Sequence, residues 1–573
     1  GSSSTSGIVF KATNGGIVHT GKEGSITIQS GTYTFASEDS GIFKGVDGTA
    51  SSGSITVSGQ DTSLMFGSGA KIQFSDKNSG AFSVTGSTLS LDGSSLNNAN
   101  GLVSFADGAS VTIANNSSVT LQEFGIKDAE LTVTDSSLTG YGAVSFTSGT
   151  VSLTNSVFSS QTAGNNITIG NAEDELNLTI TASAPQEHGN TLLSGLVHTG
   201  TGSISIVNGT IALNGEGASI FKGDAGETVG DFNISGGVIS VDSGMLGMSA
   251  ANVGSINISG GDITFTGAEN YLTAQGGQNI NFSGGSITND QQLNIQGNLV
   301  LTGAAALNGT GTLNFQNGGG VVFGNSWAQG AWGGNIALDT GSAALERDVM
   351  VTNDFTSGSS LALNDNVLTV GNTTTFKGGS SISLSMNDTT DFGKIITQSA
   401  SFSGAGNITI NATLARGVAV KQTARRYALI ETQNGIDSSR FVVSNNRYRF
   451  TPVDGCENGN FLCYDVQMIA GGAEVALASG SAVNEVMAAQ AFLDGPLFAK
   501  DSALERVTNM VDILSQTDLP AYKKALSTLI PDPEAAGSKT VVTVQNKVLM
   551  TGTGLRLARP VWLRSCWHFS LNR

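Results

Sequence analysis

Two cysteines seven residues apart are the pair best placed to do chemistry in this chain of 573 residues. Cys456 and Cys463 enclose Glu-Asn-Gly-Asn-Phe-Leu, and Asn458-Gly459 marks a tight turn between them. In an oxidising compartment they would close a small disulfide hairpin, and otherwise they would be two free thiols. Metal ligation is the competing reading, but no second Cys or His pair stands nearby to complete four-coordination.

The remaining candidates for chemistry are sparse. Histidine occurs only as His19, His188, His198 and His568. Two of these belong to a copied block: Val18-His19-Thr20-Gly21 returns as Val197-His198-Thr199-Gly200, and Ile42-Phe43-Lys44-Gly45 as Ile220-Phe221-Lys222-Gly223. A histidine duplicated with its surroundings reads as a coil-surface residue rather than a general base. Glu38-Asp39-Ser40-Gly41 and Val241-Asp242-Ser243-Gly244 only echo nucleophile motifs, since neither forms Gly-x-Ser-x-Gly between a strand and a helix. Lys222-Gly223-Asp224 reads as a coil corner. The densest acidic group, Glu173-Asp174-Glu175, falls in a loop. A lyase would need a Lys or Arg base beside acidic calcium ligands, and a hydrolase would need paired carboxylates at a set separation. No Arg precedes Arg347, and the acids are dispersed. The sequence therefore predicts no catalytic, cofactor-binding or metal-binding residue and no enzymatic activity.

The elements that would carry these residues repeat. Ile234-Ser-Gly-Gly-Val-Ile239 recurs as Ile258-Ser-Gly-Gly-Asp-Ile263 and as Phe282-Ser-Gly-Gly-Ser-Ile287, each copy 24 residues after the last. Within a copy the apolar residues alternate, break at Gly-Gly and resume, which reads as strand, bend, strand. A Gly-Gly hairpin would also give that local pattern, but only stacked coils demand the fixed longer period. The expected fold is all-β, a parallel β-helix of coils of about 24 residues followed by a short α-helical C-terminal segment. At a strand spacing of about 4.8 Å, some twenty coils would give a rod on the order of 100 Å long.

Charge separates the two parts of the chain. Up to Glu346 there are 7 Lys, no Arg and 26 acidic residues, whereas from Arg347 onward 20 basic residues face 19 acidic ones. Nucleic acid is excluded as a partner, because phosphate contacts rest on the Lys and Arg that the repeats lack. No apolar run reaches the length of a transmembrane helix. No signal peptide is visible and the first residue is Gly, so the numbering is expected to start after a leader.

From Gly1 to about Ala415 the pattern is strand and turn, forming the expected rod (1–415). Residues 416–480 bring Tyr427, Phe441, Tyr448, Phe450 and Tyr464 together with Arg440, Arg447 and Arg449, and read as antiparallel strands capping the last coil. Residues 481–557 turn helical. Helices are expected over Ala482–Leu493, from a Ser502 cap through Leu514, from Pro520 to Leu529, and over Glu534–Leu557. The tail, 558–573, packs Trp562, Cys566, Trp567 and His568 into a short stretch and reads as an aberrant or truncated end.

Asn484, Ala491-Phe492-Leu493, Leu519-Pro520-Ala521-Tyr522 with Ala525-Leu526 and Leu529, and Val548 to Leu557 resemble, in order, the segment preceding the membrane barrel of Gram-negative autotransporters, the type V secretion family. Tyr427-Ala428-Leu429-Ile430 with Gly435-Ile436 and Phe441 is similar to the end of a pertactin-like passenger. The resemblance covers roughly 405–557 and is only architectural over the rod. It implies a right-handed β-helix, a cap that helps the passenger fold, a closely spaced cysteine pair suited to secretion, and an outer-membrane barrel that does not follow here. The repeated Gly-Gly-x-Ile also resembles chlamydial polymorphic membrane proteins, without their Phe-x-x-Asn partner motif. The expected role is a surface-exposed or secreted adhesin or display protein contacting a host-cell or surface ligand, protein or glycan. The alternatives are a β-helical polysaccharide-degrading enzyme and a passive surface coat.

Overall fold

The structure, a computed structural model, describes residues 7–10, 15–161, 166–183, 186–188, 191–223, 228–388, 390–415, 423–495 and 502–529. Two compact units divide the chain, Gly1–Ile336 and Ala337–Arg573.

In the first unit, alternation writes the coil. Along Ile256–Ile258 and Asp262–Phe265 the inward residues Ile256, Ile258, Ile263 and Phe265 are buried, while Asn257 and Thr264 face outward. Strand Ile256–Ile258 lies parallel between Phe232–Ile234 and Asn279–Phe282, so Ile258 sits over Ile234 and under Phe282. Asp262–Phe265 lies likewise between Val238–Asp242 and Ser286–Asn289. Asn270–Ala274 takes the third side, between Met245–Met248 and Gln292–Leu301. The result is a parallel β-solenoid with coils of about 24 residues. Each coil supplies the hydrogen-bond partner and apolar flank that the next one lacks. Outward amides join the ladder: Asn281 Nδ2 donates to Asn257 Oδ1 at 2.9 Å, and Asn257 Nδ2 donates to Asn233 Oδ1 at 3.0 Å.

In the repeated Ser-Gly-Gly corners the two residues have different reasons to be glycine. A Cβ on Gly260 would lie 2.3 Å from the carbonyl oxygen of Ser235 in the preceding coil, closer than side-chain carbons approach. Gly261 instead has φ +83°, in the left-handed region that a Cβ disfavours. Close stacking demands the first and the turn demands the second.

Bulky rings fill the interior where the coils shorten. Val111 pairs with Leu131 and Leu131 with Val151, a step of 20 residues. Nearby, Phe124 meets Phe105, Phe146 and Phe158 at centroid distances of 5.5, 5.7 and 5.2 Å. Edge-on and tilted contacts of this kind add to the gain from burial.

The second unit contains parallel coils of its own. Ser342–Leu345, Ser360–Asn364, Ser381–Met386 and Ile408–Leu414 stack in that order. Val349–Val351, Val367–Lys377 and Lys394–Ser403 stack beside them. The strand direction then reverses. Arg425–Glu431 pairs antiparallel with Phe461–Met468, which pairs antiparallel with Tyr448–Pro452. Buried Tyr427, Tyr448 and Tyr464 are among the aromatics that gave this stretch its distinct composition.

Four helices follow among the described residues: α1 (Gly472–Ala478), α2 (Val483–Phe492), α3 (Ala503–Thr517) and α4 (Leu519–Leu529). The Ser502 hydroxyl accepts from the Glu505 backbone N–H at 3.1 Å, as the expected cap. Helix α1 begins before the onset at residue 481 expected from the sequence. Its first N–H groups are satisfied by Asp494, whose carboxylate accepts from Gly472 at 2.7 Å and Ala473 at 2.9 Å. A cap supplied from the far end of the next helix leaves no local sequence signal. The expected helix over 534–557 and the tail at 558–573 lie outside the described residues.

Candidate functional site

The copied block builds a polar column on the core side of the first unit, fully buried at His198 and Lys222. Strands place inward residues at every second position, so His19 follows Ile17 and Lys44 follows Ile42 on the core side. Gly16–His19 pairs parallel with Gly41–Lys44, setting His19 opposite Lys44. In the second copy His198 stands opposite Lys222.

A single glycine residue links each pair. Gly200 donates its N–H to His198 Nδ1 at 3.1 Å, while its carbonyl accepts from Lys222 Nζ at 2.7 Å. Gly21 does the same with His19 Nδ1 at 3.2 Å and Lys44 Nζ at 2.8 Å. One coil further on, an asparagine follows each lysine. Asn78 Oδ1 accepts from Gly80 N–H at 2.7 Å, and Asn252 Nδ2 donates to the Gly230 carbonyl at 2.9 Å. Beside these, Ser75 and Ser249 sit under the corner glycines, where a Cβ on Gly45 or Gly223 would meet their hydroxyls at 2.3 and 2.2 Å.

This arrangement corrects the coil-surface reading for His198, and only in part for its copy His19. His198 is fully buried, and His19 is half-buried. Lys222 is interior as well, and Gly223 turns the backbone at φ +103°. The signal was present in the sequence. Ile42-Phe43-Lys44 and Ile220-Phe221-Lys222 put lysine on the inward beat, and only its charge argued against reading it there.

Burial pushes the Lys222 ammonium down to about 8 from an ordinary 10.5, and it lowers Lys44 in the same direction. The fold disfavours the charged amine, so its cost is fully present below pH 8, where folded and unfolded chains are both protonated. Between pH 8 and 10.5 only the unfolded chain keeps the proton, and stability rises with pH. Lys222→Met removes this dependence. Relative to the variant, the wild type is expected to gain about 3 kcal/mol between those limits, read from urea melts across the pH range. A constant difference would exclude the buried ammonium as its source.

The other candidates are held in corners. Asn171 Oδ1 accepts from the backbones of Glu173 at 2.9 Å and Asp174 at 2.6 Å, and Glu173 and Glu175 are exposed. Asp39 pairs with Lys71, and Ser40 Oγ donates to the Ser37 carbonyl at 2.6 Å. Ser243 donates its N–H to Asn270 Oδ1 at 2.9 Å, and Asp242 is exposed. His188 lies in strand Gln186–His188. His568 and Asp224 are outside the described residues. Among the described residues no group of three or more His, Cys, Asp or Glu could hold a metal ion.

In the cap, the Sγ atoms of Cys456 and Cys463 are joined at 2.07 Å. The turn between them passes through Glu457, Asn458 and Gly459, all with positive φ. Closing so short a loop restrains the unfolded chain by about 2 kcal/mol. The double variant Cys456→Ser/Cys463→Ser should lose that amount from the unfolding free energy of the cap, measured by urea titration under oxidising conditions. Equal stability with and without the bond would remove it as a contributor.

No protein-family model and no curated protein matches the chain. No helix among the described residues is long and apolar enough to cross a membrane, which says nothing of β-barrels.

Proposed function

We propose that the chain is a surface-exposed or secreted passenger of the autotransporter type, acting as a non-enzymatic adhesin or display protein. One observation carries the reading. In the second unit parallel coils hand over to an antiparallel cap and then to a packed helical segment, the chain order that the resemblance implies. Repeated outward Ser, Thr and Asn rows in the first unit support it, since many weak contacts at regular spacing bind firmly together. The buried column fits the same reading, because its lysines and His198 face the core and serve coil register.

The test is adherence. Beads coated with the full chain are expected to be retained on epithelial monolayers or on a glycan array several-fold above albumin-coated beads, and soluble chain should compete them off. Absence of retention on both surfaces would favour a passive coat. Release of reducing ends from polysaccharide would establish the enzymatic alternative instead.

A further inference from the structure

Helix α2 carries apolar residues on two sides, but the described residues cover only one. Its inner side joins the helical core, with Ala489 buried and Val486 and Ala488 packed against it. Its outer side presents Val483 and Met487, a turn apart and 75% and 62% exposed, and Leu477 stands 68% exposed at the end of α1 just before the connection. No charge interrupts this ridge on α2. Its only ionisable residue, Glu485, is buried and accepts from the Ala482 N–H at 2.8 Å, whereas α3 exposes Arg506 and α4 exposes Lys523 and Lys524. A helix apolar on both sides is one that packs on both sides. The other helices already have their partners. On α3, Gln516 bonds the N–H and carbonyl of Leu414 at the strand edge, both at 2.9 Å. Helix α4 packs on α2 and is pinned to α1, where Tyr522 Oη donates to the Gly472 carbonyl at 2.9 Å and Lys523 Nζ to the Gly480 carbonyl at 2.8 Å.

We propose that the cover is the chain's own continuation, and that residues 541–550 seat on the outer side of α2. Leu529, the last residue of α4, packs against the same core, so the chain leaves from the module that carries the ridge. Val541 follows by 12 positions, a tether that reaches about 40 Å, more than the length of any helix here. Val541, Val544 and Val548 recur at three- and four-residue spacing, an apolar stripe matched to Val483 and Met487. A tethered partner needs only a modest affinity, because its local concentration stays high. A second chain or another protein has no such advantage. This inference is independent of the display role.

Photo-crosslinking of the full chain tests it. With p-benzoylphenylalanine in place of Met487, an exposed position that leaves the core intact, irradiation should join that residue to the tryptic peptides spanning 540–556 within one chain. Val544→Asp/Val548→Asp should lower the yield about tenfold, because a carboxylate is costly against valine and methionine. Should the label at Met487 prevent folding, the label at Val483 carries the same expectation. Dimer-sized adducts, adducts confined to other parts of the chain, no adduct at all, or a yield unchanged by the aspartates would each overturn the proposal.

Discussion

Replacing Arg447 by Met should cost the second unit about 3–5 kcal/mol, because it strands a buried carboxylate. The Arg447 guanidinium is buried and ion-paired with the equally buried Asp512. It also donates from Nε to the Ala470 carbonyl at 3.3 Å and lies 3.8 Å from Asp494, which caps α1. Asp512 accepts in turn from Gln516 Nε2 at 2.9 Å, tying the charge pair to the amide on the strand edge. Arg447→Met therefore removes the counter-charge but leaves the carboxylate in a dry site. The double variant Arg447→Met/Asp512→Leu removes both charges and should recover most of the loss, since two apolar side chains need no desolvated partner. Urea melts followed by the helical circular dichroism signal measure both. Equal losses in the single and double variants would show that the pair contributes through packing alone.

Phe124→Ala should be comparably severe in the first unit, at about 3–5 kcal/mol, because the lost ring leaves a cavity among three others. Phe124 is the only one of the four rings in contact with all the rest. Its strand is in register with Ser95–Ala106 on one side and Val144–Phe146 on the other, so the cavity opens against both neighbouring coils. In a stacked array the damage is expected to stay local. Hydrogen exchange should accelerate most between about residues 95 and 160, while the coils around Ile256 and Ile280 keep their protection. Uniform acceleration along the unit would mean that the coils unfold as one cooperative block.

What was legible in the sequence is what repeats. Gly260-Gly261 and its copies 24 residues away declared the coil, and the alternation around them named the buried set. Ser502 announced α3 because a cap acts within one turn of its helix. What stayed hidden depends on residues far apart in the chain. Gln516 meets Leu414 across 102 positions, and α1 is capped from Asp494, 22 residues after Gly472. No local pattern encodes such contacts. The inward lysines form a third class, since their phase was readable but charge argued against burial. The glycine carbonyl that accepts from each ammonium, of Gly21 or of the buried Gly200, makes that placement tolerable.

The in-register stacking also governs how such a gene can grow. A tandem duplication rejoins smoothly only if it carries a whole number of turns, because any remainder would move the next apolar row off its seat and leave Lys222 without the carbonyl above it. Length in this architecture is thus quantised. The two His-Gly-Lys linkages share one geometry, as copies separated by a whole number of turns would.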